Sequence, residues 1–124
     1  DINMIEGRVS THSDDGLTIS TEAGEIIAVG NVAVGEPVCL AIRPEKIGLS
    51  HEQGASSNER NAFAGELIDV GYLGGVSVYR IRLDQGPVLR IAIANTTRAA
   101  SHAFAPGQRV VATFAPGDCV VLQQ

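Results

Sequence analysis

The chain has 124 residues, a net charge of −5 and 44% hydrophobic positions. It is therefore long enough for one folded domain, or for two very small ones sharing a core, and too apolar for a disordered chain. An acidic balance with only five aromatic residues, Phe63, Tyr72, Tyr79, Phe104 and Phe114, argues against nucleic acid as a partner, because such binders carry basic surfaces and clustered stacking rings.

No run of about twenty apolar residues is present, so no direct membrane insertion is expected. No charged-then-apolar leader opens the chain. The start at Asp1 reads as an excised fragment or a processed product.

Apolar residues recur with a period of two almost throughout, the pattern of half-buried strands. Leu17, Ile19 and Thr21 alternate with Thr18 and Ser20. Further on, Ser77, Tyr79, Ile81 and Leu83 alternate with Val76, Val78, Arg80 and Arg82, and Leu89, Ile91 and Ile93 alternate with Val88, Arg90 and Ala92. In chain order this predicts three meandering strands, a connection and a two-strand hairpin. A polar stretch containing Gly54, Ser56, Ser57 and Asn58 follows, and then the same series again. Residues 96–103 carry the one helical pattern, about two turns of it.

The two series are an internal repeat. Asn3-Met4-Ile5-Glu6-Gly7-Arg8-Val9 lines up with Asn61-Ala62-Phe63-Ala64-Gly65-Glu66-Leu67. Residues 17–29 line up with 79–91, and 35–49 with 107–121, which sets Pro44 on Pro116. The second copy is longer near Gly71 to Gly75 and again between Ala94 and Pro106. Glu22-Ala23-Gly24 and Asp84-Gln85-Gly86 both read as three-residue hairpin loops with glycine in the third, left-handed position. That register pairs Thr21 with Glu25 and Ile19 with Ile27, and, in the second copy, Leu83 with Pro87 and Ile81 with Leu89.

Three strands, a helical link and a final hairpin make the order of an OB-type barrel. The expected fold is therefore all-β: tandem OB-like five-stranded barrel halves packed together, with one short helix in the second half. The first half occupies 1–50, a linker 51–60, and the second half 61–124. Each half is marginal alone, so a shared core including Ile42, Phe63, Leu73, Phe114 and Val121 is expected.

Chemistry is sparse. The single lysine, Lys46, follows Glu45 and lies in no glycine-rich phosphate loop, which excludes ATP chemistry within these residues. His12, His51 and His102 stand far apart, and Cys39 and Cys119 make no metal-ligand spacing, so no metal site is expected. The two thiols read as buried and reduced, with a disulfide open only in an oxidising compartment. Ser77 sits inside a strand and makes no nucleophile elbow. Glu66 and Asp69, three apart on one strand, are expected on opposite faces and so make no carboxylate pair. No catalytic residue and no cofactor site are expected.

Arg80 and Arg82 share a strand face, and the register sets Arg90 opposite Arg80. Opposed like charges are destabilising in a sheet. The face is then either a solvated one relieved by acidic neighbours such as Glu66, or a docking patch for an acidic partner or an anion.

The run Val38-Cys39-Leu40-Ala41-Ile42-Arg43-Pro44-Glu45-Lys46-Ile47 resembles the Ile-Arg-Pro-Glu signature of ABC importer ATPases. Asn61, Gly65, Tyr72-Leu73-Gly74, Tyr79, Gly86, Asn95-Thr96-Thr97-Arg98, Gly107 and the closing residues 116–122 continue the likeness. Together they resemble the C-terminal TOBE (transport-associated OB) regulatory domain of the ATP-binding subunit, of the polyamine (spermidine/putrescine) or iron(III) type, over essentially the whole chain.

The resemblance implies a non-catalytic regulatory and dimerisation module. ATP and Mg would then belong only to an upstream ATPase domain. The implied partners are a second copy of the ATP-binding subunit and, through the parent chain, transmembrane permease subunits. The implied location is cytoplasmic, peripheral to the inner membrane. Arg43 and Glu45 fall on the signature turn. Tyr72, Leu73, Gly74 and Gly75 form an extra loop suited to close approach of another backbone. With Arg80 and Arg90 these are the candidate contact residues. A small-ligand or oxyanion-binding module, like molybdate-binding domains, is the alternative.

Overall fold

The computed structural model describes residues 2–52, 61–95 and 104–124. The fold is all-β. The strands are β1 (Asn3–Ser13), β2 (Gly16–Thr21), β3 (Gly24–Ala28), β4 (Pro37–Ile42), β5 (Gly48–His51), β6 (Asn61–Leu73), β7 (Val76–Leu83), β8 (Val88–Ala94), β9 (Arg109–Phe114) and β10 (Cys119–Gln123). Short 3-10 turns at Pro44–Lys46 and Pro116–Asp118 join β4 to β5 and β9 to β10. The helical pattern at 96–103 and most of the linker lie outside the described residues; His51, placed at the start of that linker by the sequence, closes β5.

Two antiparallel five-stranded sheets form, in the orders β10-β4-β1-β2-β3 and β5-β9-β6-β7-β8. The expected closing hairpins do not form. After each proline turn the chain leaves its own sheet, so β5 pairs with β9 and β10 pairs with β4. The last strand of each repeat thus completes the sheet of the other. Five residues of apolar or neutral strand, Cys119 to Gln123, find on β4 a neighbour that is buried along most of its length.

The repeat is legible bond by bond. The Val9 amide donates to the Glu36 carbonyl at 3.1 Å and the Gly35 amide to the Val9 carbonyl at 2.8 Å. In the second copy Leu67 donates to Gln108 at 3.0 Å and Gly107 to Leu67 at 2.8 Å. A β-bulge follows Val9 in β1 and Leu67 in β6. Gly7 and Gly65 occupy matching crowded positions: a Cβ on Gly7 would stand 2.7 Å from the Ser20 carbonyl oxygen, and one on Gly65 would stand 2.5 Å from that of Arg82.

The second hairpin has the expected register, with Ile81 opposite Leu89. The first differs by one residue: Thr21 faces Gly24 and Ile19 faces Ile26. The cause is Thr21. Its hydroxyl accepts from the Ala23 amide at 3.0 Å and donates to the Gly24 carbonyl at 2.7 Å, which closes the turn on two residues. Ile26, not Ile27, then joins Ile19 in the core, both fully buried.

Buried residues from both sheets form one continuous cluster, including Leu17, Ile19, Leu40 and Ile42 from the first and Leu67, Tyr79, Ile81 and Phe114 from the second. Phe63 and Val121 are partly buried against it. Leu73, expected inside, is 68% exposed. The four extra residues of the second copy lengthen the β6–β7 ladder by the pairs Tyr72–Ser77 and Leu73–Val76 and carry Leu73 past the edge of the core.

Candidate contact surface where β1 meets the β7–β8 ladder

Two asparagines hold the sheets together. Asn3, at the start of β1, accepts from the Arg90 amide at 2.7 Å and donates to the Arg90 carbonyl at 2.8 Å and to the Ile42 carbonyl at 3.2 Å. Asn61, its repeat equivalent on β6, accepts from the Ile27 amide and donates to the Ile27 carbonyl, both at 2.8 Å. Each side chain thus reproduces a pair of ladder hydrogen bonds on an outermost strand of the opposite sheet. Neither was identified from the sequence as a positioning residue, although an asparagine at the same place in both copies was the available signal.

Asn3 fixes where Arg90 lies. Arg80 faces Arg90 across β7 and β8, as the register predicted. The acidic relief comes from Asp69, whose carboxylate meets Arg80 at 3.0 Å, while Glu66 faces Arg82 instead. The expectation that Glu66 and Asp69 point to opposite faces is overturned by the bulge between Leu67 and Asp69. An extra residue in the strand flips the alternation, so both carboxylates stand opposite the arginine face.

A depression of about 300 Å³ lined by Ile2, Asn3, Met4, Arg80, Val88 and Arg90 opens at this seam. Arg43 and Glu45 are exposed at the Pro44–Lys46 turn, which packs against β8. Arg43 follows directly on Ile42, whose carbonyl Asn3 holds. Tyr72, Leu73, Gly74 and Gly75 lie elsewhere, at the exposed tip of the β6–β7 hairpin, with Gly74 in the left-handed region at φ +64°. The Asn95 amide ties this tip to the end of β8 through the Gly75 carbonyl at 2.7 Å, and the Ser77 hydroxyl meets the Asn95 side chain at 2.8 Å. The eight sequence-predicted residues therefore fall into a seam containing Arg80 and Arg90, a neighbouring turn, and a separate hairpin tip.

A second charged cluster escaped sequence reasoning because its members are far apart in the chain. Arg109 on β9 grips Asp84 with both terminal nitrogens, at 2.6 and 2.7 Å, and reaches Glu52 at 2.9 Å. The Arg109 hydrogen bond holds the Asp84 carboxyl below its ordinary range, and Asp84 and Glu52 raise the guanidinium in turn. The cluster pins the β7–β8 turn to the end of β5.

Cys119 lies inside the core and Cys39 on the opposite face of the sheet, and both are free thiols. Burial, with a smaller contribution from Asp118, pushes the Cys119 thiol up to about 12. Burial, then Glu6, raises that of Cys39. Among the described residues no group of three or more His, Cys, Asp or Glu side chains is placed to hold a metal ion. Lys46 is exposed in the Pro44–Lys46 turn.

A family model described as the TOBE domain matches residues 40–122. The chain is 33% identical, over 98% of its length and 33% of the relative's, to the putrescine transport ATP-binding protein PotG of Escherichia coli K12. It is 30% identical, over 100% of its length and 32% of the relative's, to the spermidine/putrescine import ATP-binding protein PotA of Nostoc sp. PCC 7120. The chain thus spans about a third of the length of these curated relatives. Among solved structures, the cytoplasmic molybdate-binding protein ModG superposes with a TM-score of 0.85 at 16% identity, covering 98% of this chain and 96% of that one.

Proposed function

From the premise that the chain belongs to the TOBE domain family, we propose that it is the regulatory and dimerisation domain of the ATP-binding subunit of an ABC importer for polyamines. The observation that carries this reading is the alignment to PotG at 33% identity through 98% of the chain. In this role the domain adds no reacting group of its own. ATP and Mg belong to the nucleotide-binding part of the subunit. Arg43 and Glu45, at the turn where the chain passes from one sheet to the other, set the geometry by which the domain meets its neighbours. The partners are a second ATP-binding subunit and, through the parent chain, the permease subunits, on the cytoplasmic face of the membrane.

The alternative of an oxyanion-binding module gains nothing from ModG, since a likeness at 16% identity speaks for the fold alone. The test is to graft this chain in place of the matching third of PotG and measure putrescine uptake and ATP hydrolysis in membranes. The expected result is uptake near that of unmodified PotG, against loss or deregulation when that third is deleted. A graft no better than the deletion overturns the reading. Calorimetry of the 124-residue chain with molybdate and sulfate is expected to show no heat of binding.

A further inference from the structure

The two proline turns share one backbone and differ in chemistry. Arg43 precedes the first in extended conformation (φ −70°, ψ 137°), and Ala115 precedes the second (φ −81°, ψ 150°). The Lys46 amide donates to the Arg43 carbonyl at 3.0 Å, and the Asp118 amide to the Ala115 carbonyl at 3.0 Å. Each turn packs on an outermost strand of the opposite sheet, the first on β8 and the second on β3. The second does this with Ala115, Pro116, Gly117 and Asp118, where the first has Arg43, Pro44, Glu45 and Lys46. The bend therefore needs neither Arg43, nor Glu45, nor a cation at the place of Lys46.

Nor do the three charges bind anything inside the fold. Among the described residues, Arg43, Glu45 and Lys46 make no ion pair and no side-chain hydrogen bond. Arg8, by contrast, reaches the Gly35 carbonyl, Arg80 meets Asp69 and Arg109 holds Asp84. The three side chains are exposed, yet their backbone is fixed, since it runs between Ile42, fully buried, and Ile47, 3% exposed. A short turn clamped at both ends has little backbone freedom left to lose on contact. In chain order the charges run positive, negative, positive, so the matching surface carries two carboxylates about one cation. Exposed ion pairs are each weak, too weak together to hold a partner free in solution. They suffice for a tethered partner, whose effective concentration reaches the millimolar range. The chain spans 33% of PotG, and the remaining two-thirds of such a subunit is a partner of that kind.

We infer that Arg43, Glu45 and Lys46 seat the domain on a carboxylate-bearing surface of the nucleotide-binding part of its own subunit. This rests on the subunit role proposed above, but the readout is a contact and not transport. Lys46 is the only lysine of the chain, so it reports from one known place. The experiment is zero-length carbodiimide coupling of the purified PotG graft, followed by peptide mass spectrometry. The reagent activates a carboxylate, the Lys46 Nζ displaces it as the urea, and the amide bond formed records which carboxylate was in contact. The expected product joins Lys46 to an Asp or Glu of the PotG-derived two-thirds, at the mass of one subunit. Arg43→Glu is expected to cut its yield at least about threefold, because it turns attraction into repulsion. Raising salt from about 0.05 M to about 0.5 M does the same by screening. Should Arg43→Glu lower the melting temperature of the graft, Arg43→Gln carries this arm, with a fall in the same direction. A graft that couples through Lys46 but fails in uptake overturns the subunit role and leaves the contact standing. One that transports while Lys46 stays uncoupled overturns the contact alone, and one that does neither overturns both. Coupling only within the domain, coupling between two subunits at twice the mass, or a yield indifferent to the Arg43 variants and to salt also overturns the inference.

Discussion

Asn61 donates to and accepts from the main chain of Ile27, both bonds at 2.8 Å, although the two residues belong to different sheets. Asn3 makes the corresponding pair with Arg90. A buried side-chain amide that imitates a ladder step satisfies backbone groups that an outermost strand otherwise leaves open. The two asparagines are therefore the links that register one sheet against the other, independently of apolar packing.

Replacing Asn61 by alanine removes both bonds and leaves the Ile27 amide and carbonyl without their partner. Each stranded buried group costs about 1–3 kcal/mol, so Asn61→Ala is expected to destabilise by about 2–4 kcal/mol in urea titration. Asn3→Ala should lie in the same range. Because the two anchor opposite ends of one core, the double variant should cost at least the sum of the two. A change under about 0.5 kcal/mol, the range of an ordinary surface substitution, would show that water replaces the amide.

Gly7 and Gly65 test the repeat from the side of space. A methyl at Gly7 would meet Ile19 Cγ2 at 2.6 Å and the Ser20 carbonyl oxygen at 2.7 Å; at Gly65 it would meet the Arg82 carbonyl oxygen at 2.5 Å. Forcing atoms into a filled site costs about 1–3 kcal/mol. Gly7→Ala and Gly65→Ala are expected to fall there, measured by thermal or urea unfolding. Gly71→Ala, where nothing lies within 4 Å, is expected to be neutral or better.

The amino-acid sequence carries local information of two kinds here, and they differ in reach. Alternation and glycine placement are set within a few residues, so the strands, the Arg80–Arg90 pairing and the second hairpin could be read directly. The repeat also showed that two copies share one architecture. The exchange of β5 and β10 could not be read, because a proline turn such as Pro44–Lys46 looks the same whether the next strand folds back or crosses over. The register of the first hairpin turned on one threonine hydroxyl, and the faces of Glu66 and Asp69 on one bulge. The Arg109 cluster unites residues 52, 84 and 109, a proximity that only the finished topology creates.

The two thiols should differ in reactivity. The thiolate is the attacking species, and Cys119 is 4% exposed with its thiol pushed up to about 12, while Cys39 is 9% exposed and raised as well. Under native conditions at pH 8, labelling with a chromogenic disulfide should be slow at both and slower at Cys119, with both reacting at once in denaturant. Mass spectrometry of partly labelled protein should find the first adduct on Cys39. Early labelling of Cys119 would mean that β10 detaches readily from β4.

Acid sensitivity should trace to Asp84. Its carboxyl is held below the ordinary value by the Arg109 hydrogen bond, so the folded chain favours the ionised form more than the unfolded chain does. The contribution to stability is fully present above the unfolded value, near 3.8, and is lost as pH falls through the lower folded value. Both partners are about half exposed, so screening keeps the effect small. In melting curves taken from pH 6 downward, wild type should exceed Arg109→Ala at pH 6, and the gap should narrow below about pH 4 as Asp84 takes up its proton. Added salt should narrow the gap at pH 6 as well. A gap unchanged down to pH 2 would show that Arg109 stabilises through the packing of its aliphatic stem rather than through its charge.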